Sequence, residues 1–125
     1  MRKRHALLMF YLIISIFSCK KDEILIATGI VSEVYSSTAY VTGYFSSSGE
    51  GIKKYGHCLS TDSVPTILNM KTEYGSTIGM GEFTSVFYML ERETQYHVRA
   101  YILSGNTILY GNEITFMTTG SIGGK

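Results

Sequence analysis

Few side chains in this sequence could support chemistry at a metal ion. His57 and His97 are the two histidines beyond residue 18. A zinc site needs three or four ligands in suitable geometry, and no third ligand accompanies this pair. We therefore expect no metal site, and we interpret both histidines as solvated or strand-flanking residues.

Candidates for catalysis are equally sparse. Cys58 lies within a strand-like run, without the oriented base that an activated nucleophile needs, so we interpret it as a small buried hydrophobe. Glu91 and Glu93 could supply paired carboxylates for glycoside hydrolysis, but turn carboxylates are usually only solvated. Gly79 and Gly81 lack the following helix of a phosphate-binding motif. We expect no catalytic residue and no enzyme activity.

Tyrosines are the remaining candidates for a binding surface, since nine of the ten lie beyond residue 18. The two-residue alternation of strands predicts Tyr40 and Tyr44 on the outer face of one strand and Tyr101 on the outer face of another. Aromatic rings can stack on sugars, and cross-strand packing explains such residues equally well. The three tyrosines form a possible ligand face, with plain surface packing as the alternative.

The amino-terminal segment has the order of an export signal. Basic residues in Met1–His5 precede a mostly apolar stretch of twelve residues, Ala6–Phe17, and the small Ser18 stands before Cys19. This length suits a signal-peptide core and falls short of the roughly 20 apolar residues of a membrane-spanning helix. The pattern predicts a signal peptide over residues 1–18, with a core helix as the alternative.

The cleavage region suggests a lipid anchor. Ile16-Phe17-Ser18-Cys19 resembles the lipobox of Bacteroidota-type lipoproteins, although Phe17 replaces the more usual small or polar residue. The resemblance implies that Cys19 carries a diacylglycerol and an acylated amino terminus. Two or three acyl chains, at roughly 0.8 kcal/mol per buried CH₂, hold a protein permanently in a membrane. No cofactor other than this covalent lipid is expected.

The residues after Cys19 suggest where the protein is located in the cell. Lys21-Asp22-Glu23 resembles the export signal that carries such lipoproteins to the outer face of the outer membrane. The resemblance implies surface display, and the periplasmic leaflet is the alternative. Residues 19–25 form the lipidated tether in this interpretation.

Composition limits the rest of the chain. Removal of the signal leaves 107 residues, enough for one domain with a modest core. It also removes Arg2, Lys3 and Arg4, which leaves 8 basic and 10 acidic residues and no basic stripe. We therefore expect no nucleic-acid partner. Cys58 has no partner for a disulfide within the domain.

Strand-length runs rich in Tyr, Thr, Val, Ile and Phe, separated by turn residues, predict an all-β antiparallel sandwich over residues 26–119. Residues 120–125 are expected to form a flexible tail. Residues 46–51 are predicted as a loop, and Gly79–Gly81 as a break. The seven predicted strands cover residues 26–34, 38–45, 52–60, 72–78, 83–90, 95–103 and 108–118.

One segment carries a family resemblance. The run from Leu90 to Tyr101 resembles the fibronectin type III (Fn3) pattern of leucine, loop, threonine and tyrosine, with Arg92 where proline is usual. Residues 55–67, 71–75 and 110–119 are similar to Fn3-like modules of Bacteroidota lipoproteins. The resemblance implies a seven-stranded immunoglobulin/Fn3-like sandwich in which Tyr96 forms a tyrosine corner, its hydroxyl bonded to backbone a few residues upstream. The two-residue alternation of the predicted strand over residues 95–103 places Tyr96, Val98, Ala100 and Ile102 inward.

These features together favour a non-catalytic, lipid-anchored binding, adhesion or spacer module that contacts an unknown protein or glycan through loops at the end away from the anchor. One alternative is a glycan-binding accessory lipoprotein of a polysaccharide-uptake system. Another is a structural remnant of a longer multi-module surface protein. The loop 104–107 lacks the Arg-Gly-Asp motif of adhesive Fn3 domains.

Overall fold

A computed structural model of the chain describes residues 23–120, apart from the side chains of residues 49 and 50. The predicted signal, Cys19, Lys21 and Asp22 lie outside the described residues. No helix in the described range is long and apolar enough to cross a membrane. The eight strands are β1 (Glu23–Val34), β2 (Ala39–Ile52), β3 (Lys54–Ser60), β4 (Met70–Lys71), β5 (Thr77–Phe87), β6 (Gln95–Ser104), β7 (Thr107–Tyr110) and β8 (Ile114–Met117).

The strands form two antiparallel sheets. The smaller sheet has the order β1-β2-β5, and the larger has the order β4-β3-β6-β7, with β8 also paired to β6. Two packed antiparallel sheets with these connections make a sandwich of the Fn3 type. The predicted fold class is confirmed.

Strict alternation along β6 builds one side of the core. Tyr96, Val98, Ala100 and Ile102 are all buried, as predicted. Each buried apolar side chain of this size contributes roughly 1.5–3 kcal/mol relative to exposure. One end of the core is built around Leu59, Val98 and Phe116, and the other around Phe45, Ile52 and Ile102.

Several predicted boundaries are wrong. The tether predicted over residues 19–25 overlaps β1, which begins at Glu23 and not at residue 26. Residues 46–51 belong to β2, in which Ser46 pairs with Leu25 of β1 and Met80 of β5, and Ser47 pairs with Ile24 and Gly79 of the same two strands. The strand predicted over 72–78 is absent, since Met70–Lys71 forms β4 and Thr77 begins β5, which runs through both glycines of the predicted break. The last predicted strand is split at residues 111–113 into β7 and β8.

The pairing gives the sandwich two ends. At the proximal pole, Glu23 at the start of β1 pairs with Ser48. At the distal pole, Val34 at the end of β1 pairs with Ala39, and residues 88–94 connect β5 to β6. At about 3.3 Å per residue, the twelve residues of β1 separate the poles by roughly 35–40 Å.

Candidate functional site

His57 is a buried structural residue, which corrects the interpretation of this histidine as solvated. Its side chain lies between the sheets, with Nδ1 2.7 Å from the Ser85 hydroxyl and Nε2 2.9 Å from the Thr42 carbonyl oxygen. Because a carbonyl can only accept, Nε2 carries the hydrogen and Nδ1 accepts from Ser85. Burial lowers the pKa of His57 to about 4, so the ring is neutral at physiological pH.

His97 lies on the opposite face of the larger sheet from His57. Its Nδ1 is 2.6 Å from one carboxylate oxygen of Glu113, whose other oxygen accepts a hydrogen bond from the Val64 amide. The two histidines therefore do not converge. Within residues 23–120, no group of three or more His, Cys, Asp and Glu side chains could hold a metal ion.

Cys58 is fully buried, on the face of β3 opposite to His57. Burial raises the pKa of its thiol to about 12, and the positive charges of Arg99 and Lys71 lower this pKa by a smaller amount. A thiol held in its protonated form is a poor nucleophile. Glu91 and Glu93 are both exposed in the connection between β5 and β6. The geometry therefore gives these residues structural or solvated positions.

Tyr96 fastens the β5–β6 connection to the core. Its ring is buried and stacks on Phe116 with centroids 5.7 Å apart, and its hydroxyl accepts a 2.9 Å hydrogen bond from the Glu91 amide. The partner lies five residues upstream, as a tyrosine corner requires. The bond fixes the backbone that follows Met89.

The structure separates the three tyrosines of the predicted ligand face. Tyr40 and Tyr44 lie on the outer face of the smaller sheet, and Tyr40 packs edge-to-face against Tyr35. Tyr101 belongs to the larger sheet and is buried, so its predicted exposure is wrong. The chain around Thr72 covers it, and the Tyr101 hydroxyl donates a 2.7 Å hydrogen bond to the Thr72 carbonyl.

Tyr44 instead contributes to an apolar groove on the outer face of the smaller sheet, here named the proximal groove. The groove has a volume of about 490 Å³ and is lined by Leu25, Ile26, Ala27, Tyr44, Phe45, Ser46, Met80, Gly81 and Glu82. Leu25, Ser46 and Met80 form one row across the three strands, and Leu25 and Met80 are 57% and 78% exposed. The local sequence pattern does not reveal this surface, because residues 46–51 have the composition of a loop.

A second exposed apolar surface lies in residues 88–94, here named the distal loop. Tyr88 is 64% exposed and Met89 is 90% exposed. Met89 adopts φ +60°, a left-handed conformation that is uncommon for a residue with a side chain. Hydrogen bonds from the Leu90 amide to Ser37 and from the Glu91 amide to Tyr96 hold the backbone after it. The two side chains are thus presented to solvent on a fixed support.

Comparisons with known proteins show the fold and no closer relationship. No family model matches the chain, and no curated protein matches it. The chain is similar to the sensor domain of the anti-sigma factor RsgI4 of Pseudobacteroides cellulosolvens, with TM-score 0.59 and 17% identity over 78% of this chain and 96% of that one. It is also similar to the Fn3 domain of human fibronectin type III domain containing protein 3, with TM-score 0.51 and 14% identity over 79% and 88%. Identities this low establish an Fn3-like β-sandwich only.

Proposed function

We propose that the chain is a non-catalytic binding module, anchored in the outer membrane by a lipid on Cys19 and displayed at the cell surface. The signal-like residues 1–18 and Lys21-Asp22-Glu23 support this anchor and location. The Fn3-like sandwich supports a binding role, since the solved structures similar to it include a sensor domain and an Fn3 domain. The periplasmic leaflet is the alternative location.

One observation carries the binding role: Tyr88 and Met89 are exposed at the distal pole, opposite to the proposed anchor. β1 begins four residues after Cys19, so a lipid there lies at the proximal pole and leaves the distal loop free. Backbone in a left-handed conformation at a residue with a side chain costs of order 1 kcal/mol or more and is common at binding sites. The distal loop is therefore the proposed contact surface.

The side chains of the distal loop favour a protein partner. Aromatic residues and Met are enriched in protein interfaces, and Met adapts its shape to a partner surface. The glycan-binding alternative would use the Tyr88 ring alone, stacked on a sugar. The spacer or remnant interpretation predicts no specific ligand of either class.

Arrays of bacterial surface proteins and of glycans, probed with the mature lipidated chain in detergent, test the binding role. Tyr88→Ser combined with Met89→Ser should abolish the signal. A matched pair at the other pole, Ile78→Ser with Met80→Ser, should keep it. Equal loss in both pairs would contradict the distal loop as the site, and a blank array would favour a spacer.

Experiments in the cell test the proposed lipidation and surface location. Intact mass of the mature protein should show removal of residues 1–18 and added acyl groups on Cys19, and Cys19→Ala should block both. External protease should digest the protein on intact cells. Alanine at Lys21, Asp22 and Glu23 should protect it from the protease without loss of lipid. Protection of the unaltered protein would instead indicate the periplasmic leaflet.

A further inference from the structure

The proximal groove lies within short reach of the proposed anchor. Leu25, at one side of the groove, follows Cys19 by six residues, and an extended chain spans at most about 3.3–3.6 Å per residue. The two Cα atoms are therefore no more than about 22 Å apart. Met80 lies in the same row two strands away, which adds about 10 Å across the sheet.

The groove is on the uncovered side of the smaller sheet. The opposite side of this sheet packs against the larger sheet through Phe45 and Phe83, whereas Leu25 and Met80 face outward into solvent. Ile78, two residues before Met80, is 64% exposed as well. An apolar surface of this kind marks a site that another apolar phase or molecule covers.

The charges around the groove are acidic. Glu82 is the charged residue of its lining, and Glu23 lies two residues before Leu25 on the same strand face. The lining contains no Lys or Arg. A surface with this composition is not drawn to anionic headgroups, so attraction to a membrane would come from its apolar side chains.

We infer that the proximal groove is the surface by which the sandwich rests on the lipid bilayer. The inference rests on the proposed lipid at Cys19, because that lipid makes the contact intramolecular. Effective concentrations for such short tethers are in the millimolar range, so a few apolar side chains suffice. Leu25 and Met80 enter the interfacial region, and the Tyr44 ring lies at headgroup level, where amphipathic rings are favoured. The distal loop stays in water.

Single tryptophans test this arrangement directly, because the chain contains no Trp. Met80→Trp places the probe in the groove, and Met89→Trp places it in the distal loop as a matched control. Both methionines are exposed, so neither change needs repacking, and thermal melts check that each variant folds. The mature lipidated proteins are reconstituted into phosphatidylcholine vesicles with and without brominated acyl chains.

The Met80→Trp protein should lose most of its fluorescence in brominated vesicles, and the Met89→Trp protein should retain it. The result should not change with salt concentration or with added phosphatidylglycerol. Each of three outcomes would overturn the inference: equal quenching of the two probes, quenching that requires phosphatidylglycerol, or a groove probe shielded from both lipid and water by a second copy of the chain.

Vesicle flotation and intact mass separate the two proposals. Acyl groups and flotation with the vesicles, without quenching of Met80→Trp, would support the proposed anchor. The same result would refute the proximal groove as the surface that contacts the bilayer. A protein without acyl mass refutes both.

Discussion

His57 on β3 and Ser85 on β5 are joined by a 2.7 Å hydrogen bond that links the two sheets through the interior of the sandwich. The Ser85 hydroxyl also bonds the Thr72 hydroxyl at 2.7 Å, and the His57 ring donates to the Thr42 carbonyl. Within residues 23–120, no buried side-chain nitrogen or oxygen lacks a partner. A polar network of this kind specifies how the sheets align, since a shifted alignment would leave buried groups unpaired.

The buried imidazole makes stability depend on pH. Burial holds the pKa of His57 at about 4 in the folded chain, against 6.5 normally. As pH falls from about 6.5 to about 4, the unfolded chain binds a proton that the folded chain does not, so stability falls. The full contribution, present above pH 6.5, is about 3 kcal/mol. Urea unfolding at pH 7 and pH 4.5 measures it. His57→Gln should flatten the pH dependence, and an unchanged slope would contradict the assignment.

Tyr96 provides a test of the corner that closes the distal loop. Tyr96→Phe removes the acceptor for the Glu91 amide and should cost roughly 0.5–1.5 kcal/mol of unfolding free energy. Tyr96→Ala also removes the ring that stacks on Phe116, and should cost roughly 3–5 kcal/mol. Chemical denaturation measures both values.

The control for Tyr96 is Tyr88, an exposed tyrosine of the neighbouring loop. Tyr88→Ala should change stability by no more than about 0.5 kcal/mol. Tyr101 does not serve this purpose, because its ring is buried and its hydroxyl is bonded to Thr72. Similar losses for Tyr88→Ala and Tyr96→Ala would mean that the loop packs differently.

Gly56 on β3 allows the segment around Thr72, which covers Tyr101, to lie close to the larger sheet. A Cβ on Gly56 would overlap the backbone carbonyl of Thr72, whereas a Cβ on Gly75 would meet no atom within 4 Å. Gly56→Ala should therefore cost roughly 1–3 kcal/mol, as overpacking does. Gly75→Ala should be close to neutral. Thermal melts of the pair give the difference, and equal melting temperatures would show that the segment around Thr72 is not closely packed.

Cys58 should be unreactive until the chain unfolds. Its thiol is buried and its pKa is raised to about 12, so a maleimide at pH 7.5 should not modify it in the native protein. Full modification should follow in strong urea. Peptide mapping identifies the labelled residue. Rapid labelling of Cys58 in the native protein would contradict its burial. Labelling of Cys19 would contradict the proposed lipidation.

The sequence predicts best where side chains alternate strictly. The inward set of β6 follows from Tyr96, Val98, Ala100 and Ile102, because a two-residue period with one buried face fixes which side chains enter the core. His57 and Leu59 are two residues apart on β3 and therefore lie on the same face. Because Leu59 is apolar and buried, this spacing indicates that His57 also faces inward. Its polar type argues for the surface, and only the partners Ser85 and Thr42 explain its burial.

Long-range pairing accounts for what sequence did not reveal. The serines at 46–48 have a loop composition, and their strand conformation depends on pairing with β1 and β5. Tyr101 is on the predicted face of β6, but its exposure is decided by a segment some thirty residues earlier, around Thr72. The proximal groove needs the register of three strands at once, which local patterns do not contain.

The course of β1 has a mechanical consequence for a tethered protein. A pull between Glu23 and the distal loop runs along β1, and its hydrogen bonds to β2 lie across that direction, so they share the load instead of opening one by one. Thr28 adds resistance, since its amide donates to Asn112 and its hydroxyl accepts from the Ala100 amide of the larger sheet. With the proposed anchor and surface location, flow over the cell would load this sandwich in shear, the direction in which hydrogen-bonded antiparallel strands resist separation most.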